Sequence, residues 1–225
     1  MKFFTGSLLV SLFFTTAFAQ AGVVVGGTRL IYDGSKKESS LSVSNPDNVP
    51  YLIQTWVETT AGGAEKAPFI VTPPLFRLDG GQNNVLRVVR AGGNLPSHQE
   101  SLYWMNIKAI PSGEVKANQN TLQIAVKTRI KLIYRPLGLK GTPEDVTEQL
   151  KWKRIGDNLQ VTNSTPFYMN FMEVSVGGKS LKDVTFIAPG SSTNFKLPAG
   201  VNSGAVSWKI ISDYGAIGPE HKGSM

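Results

Sequence analysis

Residues 121–134, TLQIAVKTRIKLIY, form the longest alternating run in the chain and decide its fold class. One parity carries apolar side chains: Leu122, Ile124, Val126, Ile130, Leu132 and Tyr134. The other parity carries polar and basic side chains: Gln123, Lys127, Arg129 and Lys131. Because successive side chains of a strand point to opposite faces, this run predicts a strand with one apolar and one basic face. At ~3.3 Å per residue the strand would be unusually long, about 45 Å.

Shorter strand-like runs, separated by Gly and Pro turns, fill the rest of the chain. They lie in residues 23–25, 29–32, 41–43, 51–57, 85–89 and 103–110, and again in 151–155, 159–162, 167–176, 184–187, 193–197 and 205–213. Two halves of about 100 residues, each with several short strands, are typical of antiparallel sandwiches of immunoglobulin size. The pattern therefore predicts an all-β protein made of two immunoglobulin-like β-sandwich domains.

A break in the strand pattern divides the two halves. Pro136 ends the long strand, and residues 138–141, GLKG, have the composition of a linker. Thr142 and Pro143 then predict the N-cap and first position of a short helix. We therefore expect an N-terminal domain over 22–137, a linker over 138–141 and a C-terminal domain over 142–225.

The first 21 residues have the pattern of a secretory signal peptide. A short positive start is followed by an apolar stretch over residues 3–19, which ends in small residues suited to cleavage after Ala19 or Ala21. A membrane anchor is the alternative, but the stretch is short against the ~20 residues that a bilayer span needs. No later stretch is long and apolar enough to span, so we expect no stable membrane insertion. A secreted chain without cysteine favours a bacterial envelope.

Composition excludes several classes of function. There is no Cys and there are two His, which excludes a disulfide framework, a thiolate metal site and a Cys nucleophile. No nucleophile elbow, phosphate-binding glycine loop or zinc-protease motif occurs, so we predict no enzyme activity, no cofactor and no metal site. The net charge of +7 suggests either a nucleic-acid binder or a basic secreted protein with solvated lysines. The densest basic run, residues 151–154, alternates like an exposed strand face, so no nucleic-acid partner is expected.

Five stretches, in the same order, resemble the periplasmic pilus assembly chaperones of the PapD and FimC type. They are residues 27–32 (GTRLIY), 51–57 (YLIQTWV), 69–76 (FIVTPPLF), 100–106 (ESLYWMN) and 129–136 (RIKLIYRP). The resemblance covers nearly the whole chain after the leader. It implies two immunoglobulin-like domains in an L or boomerang arrangement, a periplasmic location and, from the short loop over 111–119 and the absence of Cys, the short-loop branch of the family.

The resemblance also implies a mechanism, donor-strand complementation. Pilus subunits of this kind lack their last strand, and the chaperone completes them with its own, before delivery to an outer-membrane usher. The donor-strand side chains fall on Leu122, Ile124 and Val126. Alternation alone would place these three residues in the core of the chaperone itself.

Two further sets of residues match positions with known roles in the family. Arg29 and Lys131 match the basic pair that anchors the C-terminal carboxylate of the subunit, and two cations on one carboxylate make strong charge-assisted hydrogen bonds. Glu100, Arg135 and Asp213 match a salt-bridge cluster between the domains. Lys131 has the opposite parity to Leu122, so either a bulge or a strong twist intervenes, or the two sites use different faces of the strand.

The leading hypothesis is thus a non-enzymatic chaperone whose partners are pilus subunits and an outer-membrane usher. A secreted two-domain adhesive or ligand-binding module is the alternative, in which the apolar strand face is internal. An enzyme of unrecognised type is the third hypothesis, and it lacks a nucleophile and a base. The resemblance leaves open a self-capping dimer of the free chaperone and the cis or trans state of the prolines at 73 and 74.

Overall fold

Two separate hydrophobic cores organise the chain, one on each side of residue 140. The structure is a computed structural model that describes residues 22–62, 65–113, 122–201 and 203–225. One core gathers buried side chains from Leu30 to Tyr134, and the other gathers side chains from Leu150 to Ile210. The predicted signal peptide lies outside the described residues.

Within the described residues, nine strands build the N-terminal unit. They are β1 (Val24–Val25), β2 (Arg29–Asp33), β3 (Glu38–Ser44), β4 (Tyr51–Thr59), β5 (Phe69–Thr72), β6 (Leu75–Leu78), β7 (Asn83–Arg90), β8 (Ser101–Pro111) and β9 (Val126–Arg135). They form one sheet in the order β1-β3-β7-β5 and a second in the order β2-β9-β8-β4-β6. Buried residues from both sheets share a single core, so the unit is a β-sandwich.

Strand β9 lies inside the second sheet, between β8 and β2. It pairs antiparallel with β8 from Val126 to Tyr134, and parallel with β2 from Lys131 to Arg135. The long predicted strand is therefore shorter than the sequence indicated. Residues 122–125 are exposed and belong to no strand, because no described residue pairs with them, and residue 121 lies outside the description.

The C-terminal unit begins with a short helix and continues with eight strands in the ranges that the structure describes. The elements are α1 (Pro143–Val146), a 3₁₀ turn (Thr147–Gln149), β10 (Lys151–Ile155), β11 (Asn158–Asn163), β12 (Met169–Val176), β13 (Lys179–Ser180), β14 (Phe186–Ile187), β15 (Ser191–Lys196), β16 (Ala205–Ile210) and β17 (His221–Ser224). Its sheets run β10-β11-β15 and β13-β12-β16-β17, with β14 paired to β12. Trp152, Phe171 and Trp208 pack ring against ring in the core between them.

The predicted fold class is confirmed, since the described residues form two units built from β-sheets, with one four-residue α-helix. That helix, the one α-helix in the described ranges, is far too short to span a bilayer. The predicted N-cap Thr142 is in place, and its backbone N–H donates to the Asp145 carboxylate at 2.8 Å. Four strands were not predicted from the pattern, β5, β6, β13 and β17, because each has four residues or fewer and offers too little alternation.

The two units touch along one face of the second N-terminal sheet. Leu102 and Ile133 are cross-strand partners on this face and are buried although they belong to neither core. A backbone hydrogen bond of 2.9 Å from Glu100 N–H to the Pro166 carbonyl joins the units directly. Leu139, inside the expected linker, packs against the C-terminal core. The division at 138–141 stays a prediction.

Candidate functional site

A charged cluster joins the two units at the carboxyl end of β9. The Arg135 guanidinium donates to the Glu100 carboxylate at 2.7 Å and, through two nitrogens, to both Asp213 oxygens at 2.7 and 2.9 Å. Glu100 also accepts a 2.7 Å hydrogen bond from the Tyr168 backbone N–H. The structure thus brings the three residues predicted for an inter-domain bridge within contact of one another. Two carboxylates from different units share a single guanidinium, which fixes the units together.

Burial sets the protonation of this cluster. The Glu100 side chain is almost wholly buried, which raises its pKa to about 7 against the opposing pull of Arg135 and the Tyr168 N–H. The raised pKa means that Glu100 binds its proton more tightly in the folded chain than in the unfolded chain. Its effect on the free energy of unfolding is therefore fully stabilising below pH 4.5, the ordinary pKa of a glutamate. That contribution is lost as the pH rises through about 7. The bridge therefore holds an ionised Glu100 at pH 8 and a protonated one at pH 5.

Replacing Arg135 with alanine is expected to destabilise the protein more at pH 8 than at pH 5. At pH 8 the change leaves the buried Glu100 without its cation, which costs about 3–5 kcal/mol for a broken buried pair. At pH 5 Glu100 is protonated before and after the change, so less is lost. Urea denaturation at the two pH values measures the free energy of unfolding.

The exposed pair of Arg77 and Asp79 supplies the matched control, because its 2.6 Å contact is open to solvent. Arg77→Ala should change the free energy of unfolding by less than about 1 kcal/mol at either pH. An Arg135→Ala protein as stable as the parent at pH 8 would mean that the bridge does not stabilise the fold.

Parallel pairing of β2 with β9 places two cations side by side. Arg29 and Lys131 are register partners, so their side chains lie on the same face, at the junction of the two units. Arg29 donates to the Ile211 carbonyl at 3.2 Å, and the Lys131 ammonium donates to the Asn170 side-chain oxygen at 2.5 Å. The Lys131 ammonium also lies 4.5 Å from the centre of the Phe186 ring. Both cations therefore rest against the C-terminal unit.

These two cations are poorly solvated and incompletely neutralised. Burial, followed by repulsion from Arg29, lowers the pKa of Lys131 to about 8. Burial also lowers the pKa of Arg29, although Asp213 and Glu144 partly offset the effect. The Arg29 Nε is buried and has no hydrogen-bond partner among the described residues. A pair of this kind is suited to receive an anion that completes its hydrogen bonds.

The predicted donor residues are exposed rather than packed. Leu122 is 87% exposed, Ile124 65% and Val126 56%, whereas Ile130 and Leu132, which have the same parity and lie within β9, are 5% and 0% exposed. Ile124 and Val126 line a cavity of about 210 Å³ at the open end of the N-terminal sandwich, beside Tyr51 and Val25. An exposed row of apolar side chains on one strand is a surface that favours a partner.

Val126 of the donor row (Leu122, Ile124 and Val126) and Lys131 of the basic pair (Arg29 and Lys131) lie on opposite faces of β9. Pairing between β8 and β9 runs without a register shift from Val126 to Tyr134, so no bulge intervenes there. Lys131 therefore faces the junction of the units, while Val126 faces the side of the N-terminal core. Of the two alternatives that the sequence allowed, the structure has the second.

The first half of β9 has one unpaired edge, and we call the space beside this edge, which an added strand could fill, the open lane. β2 fills the lane next to Lys131–Arg135, but no described residue pairs on that side with Val126–Ile130. The open lane ends at Arg29, where β2 begins. Unpaired backbone N–H and C=O groups on such an edge are ready to hydrogen-bond an added strand.

Several residues at the site were not singled out from the sequence. Asn170, Phe186 and Tyr168 contact the basic pair or the bridge from the C-terminal unit. Their approach depends on how the units dock, so no local pattern could indicate it. Among the described residues, no group of three or more acidic or His side chains is arranged to hold a metal ion.

Family models match both halves of the chain. Residues 22–140 match the N-terminal domain of PapD, described as a pili and flagellar-assembly chaperone, and residues 145–222 match the C-terminal domain of the pili assembly chaperone PapD. The chain is 44% identical to the probable fimbrial chaperone LpfB of Escherichia coli O157:H7, over 93% of this chain and 91% of that protein. It is 42% identical to the chaperone protein FimC of Escherichia coli K12, over 98% and 91% of the two chains.

Solved structures of chaperones have a fold similar to that of this chain. The fold is similar to that in the complex of the Salmonella enterica SafA pilin with the SafB chaperone, with a TM-score of 0.86 and 38% identity over 93% of this chain and 99% of that one. It is also similar to the Escherichia coli chaperone DraB, with a TM-score of 0.82 and 41% identity over 90% and 96% of the two chains.

Proposed function

The chain belongs to the PapD family of pilus assembly chaperones, and from this premise we propose that it captures a pilus subunit with strand β9 and the basic pair Arg29 and Lys131. The subunit, which lacks the final strand of its own fold, adds the last strand that it does have, the one at its C-terminus, to the open lane beside β9. The chaperone then hands the subunit to an outer-membrane usher. The similar structure of the SafB chaperone is a complex with the SafA pilin, which supports a subunit as the partner here.

The observation that carries this proposal is the position of the basic pair at the end of the open lane. A strand that fills the lane stops at Arg29, because β2 occupies the lane from there on. A terminal carboxylate at that point would accept hydrogen bonds from Arg29 and Lys131 and relieve the repulsion between two partly buried cations. Charge-assisted hydrogen bonds of this kind contribute roughly 1.5–3 kcal/mol each when water is excluded.

The donor row supplies the second half of the interaction. Leu122, Ile124 and Val126 would enter the apolar groove of a subunit that lacks its own last strand, while the backbone of the donor segment completes its sheet. Burying three such side chains removes a large apolar surface from water, at about 25 cal/mol per Å². The carboxylate anchor sets the register, and the donor row supplies most of the binding energy.

Expression with its leader in a bacterial periplasm, together with a fimbrial subunit, tests the proposal. The tagged protein should purify as a one-to-one complex with the subunit, and the subunit should be degraded or aggregate when the chaperone is absent. If the protein were an adhesive or ligand-binding module, it would purify alone and the subunit would be lost in either case. The subunit without its last residues is the control, because it offers no carboxylate at the anchor.

Capture should weaken as the pH rises above about 8. Binding a carboxylate needs the ammonium form of Lys131, and burial beside Arg29 lowers the pKa of that group to about 8 in the free protein. Below pH 8 the ammonium is already present. Above it, binding must take up a proton, so the affinity falls by up to about tenfold per pH unit. Titration of a strand peptide with a free C-terminal carboxylate between pH 6.5 and 9.5 measures the effect.

The Lys131→Arg variant is the control for this pH dependence, since arginine stays protonated throughout the range. It should bind with an affinity that changes little between pH 7 and 9. A parent protein whose affinity is equally flat over that range would contradict a role for the Lys131 ammonium.

The remaining features of the proposal concern location and chemistry. We place the protein in the periplasm, delivered there by the leader over residues 1–21, because similar proteins include a chaperone named as periplasmic. It acts by binding, without a cofactor and without a chemical step. The boundaries 22–137, 138–141 and 142–225 are proposed on the separation of the two hydrophobic cores.

A further inference from the structure

A cluster of cations and aromatic rings covers the face of β9 opposite to the donor row. We call it the basic platform and define it by Trp56, Glu58, Trp104, Lys127 and Arg129. The Lys127 ammonium lies 5.0 Å from the centre of the Trp56 ring, and the Arg129 guanidinium lies 4.6 Å from that of Trp104. Glu58 accepts a 2.7 Å hydrogen bond from the Trp56 indole and contacts Lys127 at 3.8 Å and Arg129 at 3.2 Å. The platform is therefore an ordered surface.

The basic platform carries more positive than negative charge. Its two cations share one carboxylate, that of Glu58, so one positive charge is left over. The side chains of Lys127 and Arg129 are 44% and 42% exposed, which leaves N–H donors free to meet a partner. Lys131 continues the same row toward the junction of the units. A partner that covers this row would be expected to carry negative charge.

The open lane places a captured strand directly beside these cations. Lys127 and Arg129 are in β9, and the lane next to Val126–Ile130 is empty. A strand whose carboxylate ends at Arg29 must run parallel to β9, because the donor row lies at the amino end of β9 and the anchor lies further along. Its alternate side chains then point to the face of Lys127 and Arg129, about 5 Å away in the next lane.

Resting on the proposed function, we infer that the basic platform selects the charge of the captured subunit. The last strand of the preferred subunits carries acidic side chains at two alternate positions, those that lie opposite Lys127 and Arg129. The positions between them face the donor row and are apolar. The terminal carboxylate thus sets the register of the strand, and the acidic pair distinguishes one subunit from another.

Synthetic peptides of twelve residues with alternating Val and Thr test the inference directly. A pair of Asp residues is moved along the last six positions in both parities, with matched peptides that carry Asn or Lys at the same places. Fluorescence anisotropy measures binding to the full-length mature protein. For one parity, Asp should bind about 2- to 30-fold more tightly than Asn, as expected for two cross-strand charge pairs, and Lys more weakly still.

Two double variants distinguish a specific effect of the basic platform on peptide binding from an effect of the overall charge of the protein. Lys127→Gln with Arg129→Gln should remove the preference for Asp. Arg87→Gln with Lys153→Gln removes the same amount of charge from exposed strand positions elsewhere and should leave the preference intact. Thermal melting of both proteins should match the parent, because all four side chains are exposed.

Amidation of the peptide C-terminus separates failure of this inference from failure of the proposed function. If amidation abolishes binding while Asp and Asn peptides bind equally, the anchor stands and the platform has no selective role. An apolar preference at the Asp positions would also overturn the inference. If no peptide with a free carboxylate binds, capture through the terminal strand is wrong, and charge selection is wrong with it.

Discussion

Replacing Arg29 or Lys131 with alanine is expected to abolish subunit capture while the chaperone stays folded. Each change removes half of the carboxylate anchor, and the remaining cation must hold the carboxylate alone. Neither side chain lies in a hydrophobic core, and burial disfavours the charged form of both. The free protein should therefore be as stable as the parent. Periplasmic co-purification measures capture, and circular dichroism with thermal melting measures folding.

The matched control is Arg87→Ala, which removes an exposed cation from the other sheet of the same domain. It should capture the subunit as the parent does. The assignment would be wrong if both Arg29→Ala and Lys131→Ala proteins bound a subunit normally. Loss of capture together with loss of folding would instead give the two cations a structural role.

The alternation of residues 121–134 predicted the faces of β9 but not where the domain core ends. Ile124 and Ile130 have the same parity and the same side chain, yet one is exposed and the other is buried. The difference depends on whether the opposite sheet extends far enough to cover them, which is a property of the whole sandwich. Pattern alone therefore favoured the core for both, and the resemblance to a family separated them.

Local sequence patterns also did not predict that the two cations of the basic pair, which are far apart in the sequence, lie side by side. Arg29 and Lys131 become neighbours through the parallel register of β2 and β9, and nothing near either residue indicates that register. The inter-domain bridge was found by resemblance, while the contacts of Asn170 and Phe186 with Lys131 were not found at all. These residues meet because the two units dock against each other. Docking produces no repeating pattern of apolar and polar residues, so the sequence does not indicate it.

Changing Ile124 to glutamate is expected to prevent subunit binding and to leave the free chaperone near its original stability. The side chain is 65% exposed, so a carboxylate there remains in water and costs the fold little. In the complex the same carboxylate would be buried in an apolar groove without a partner, which is strongly unfavourable. Thermal melting of the variant, beside periplasmic co-purification with a subunit, measures both effects.

Leu132→Glu is the matched control, because Leu132 has the same parity in the same alternating segment and is fully buried in the N-terminal core. It should unfold the domain, since the carboxylate has no way to reach water. The two variants introduce the same charge at positions of the same parity, and they differ in whether the original side chain is exposed or buried. A large fall in melting temperature for Ile124→Glu would place Ile124 in the core of the chaperone itself, and the donor role of the row would then be wrong.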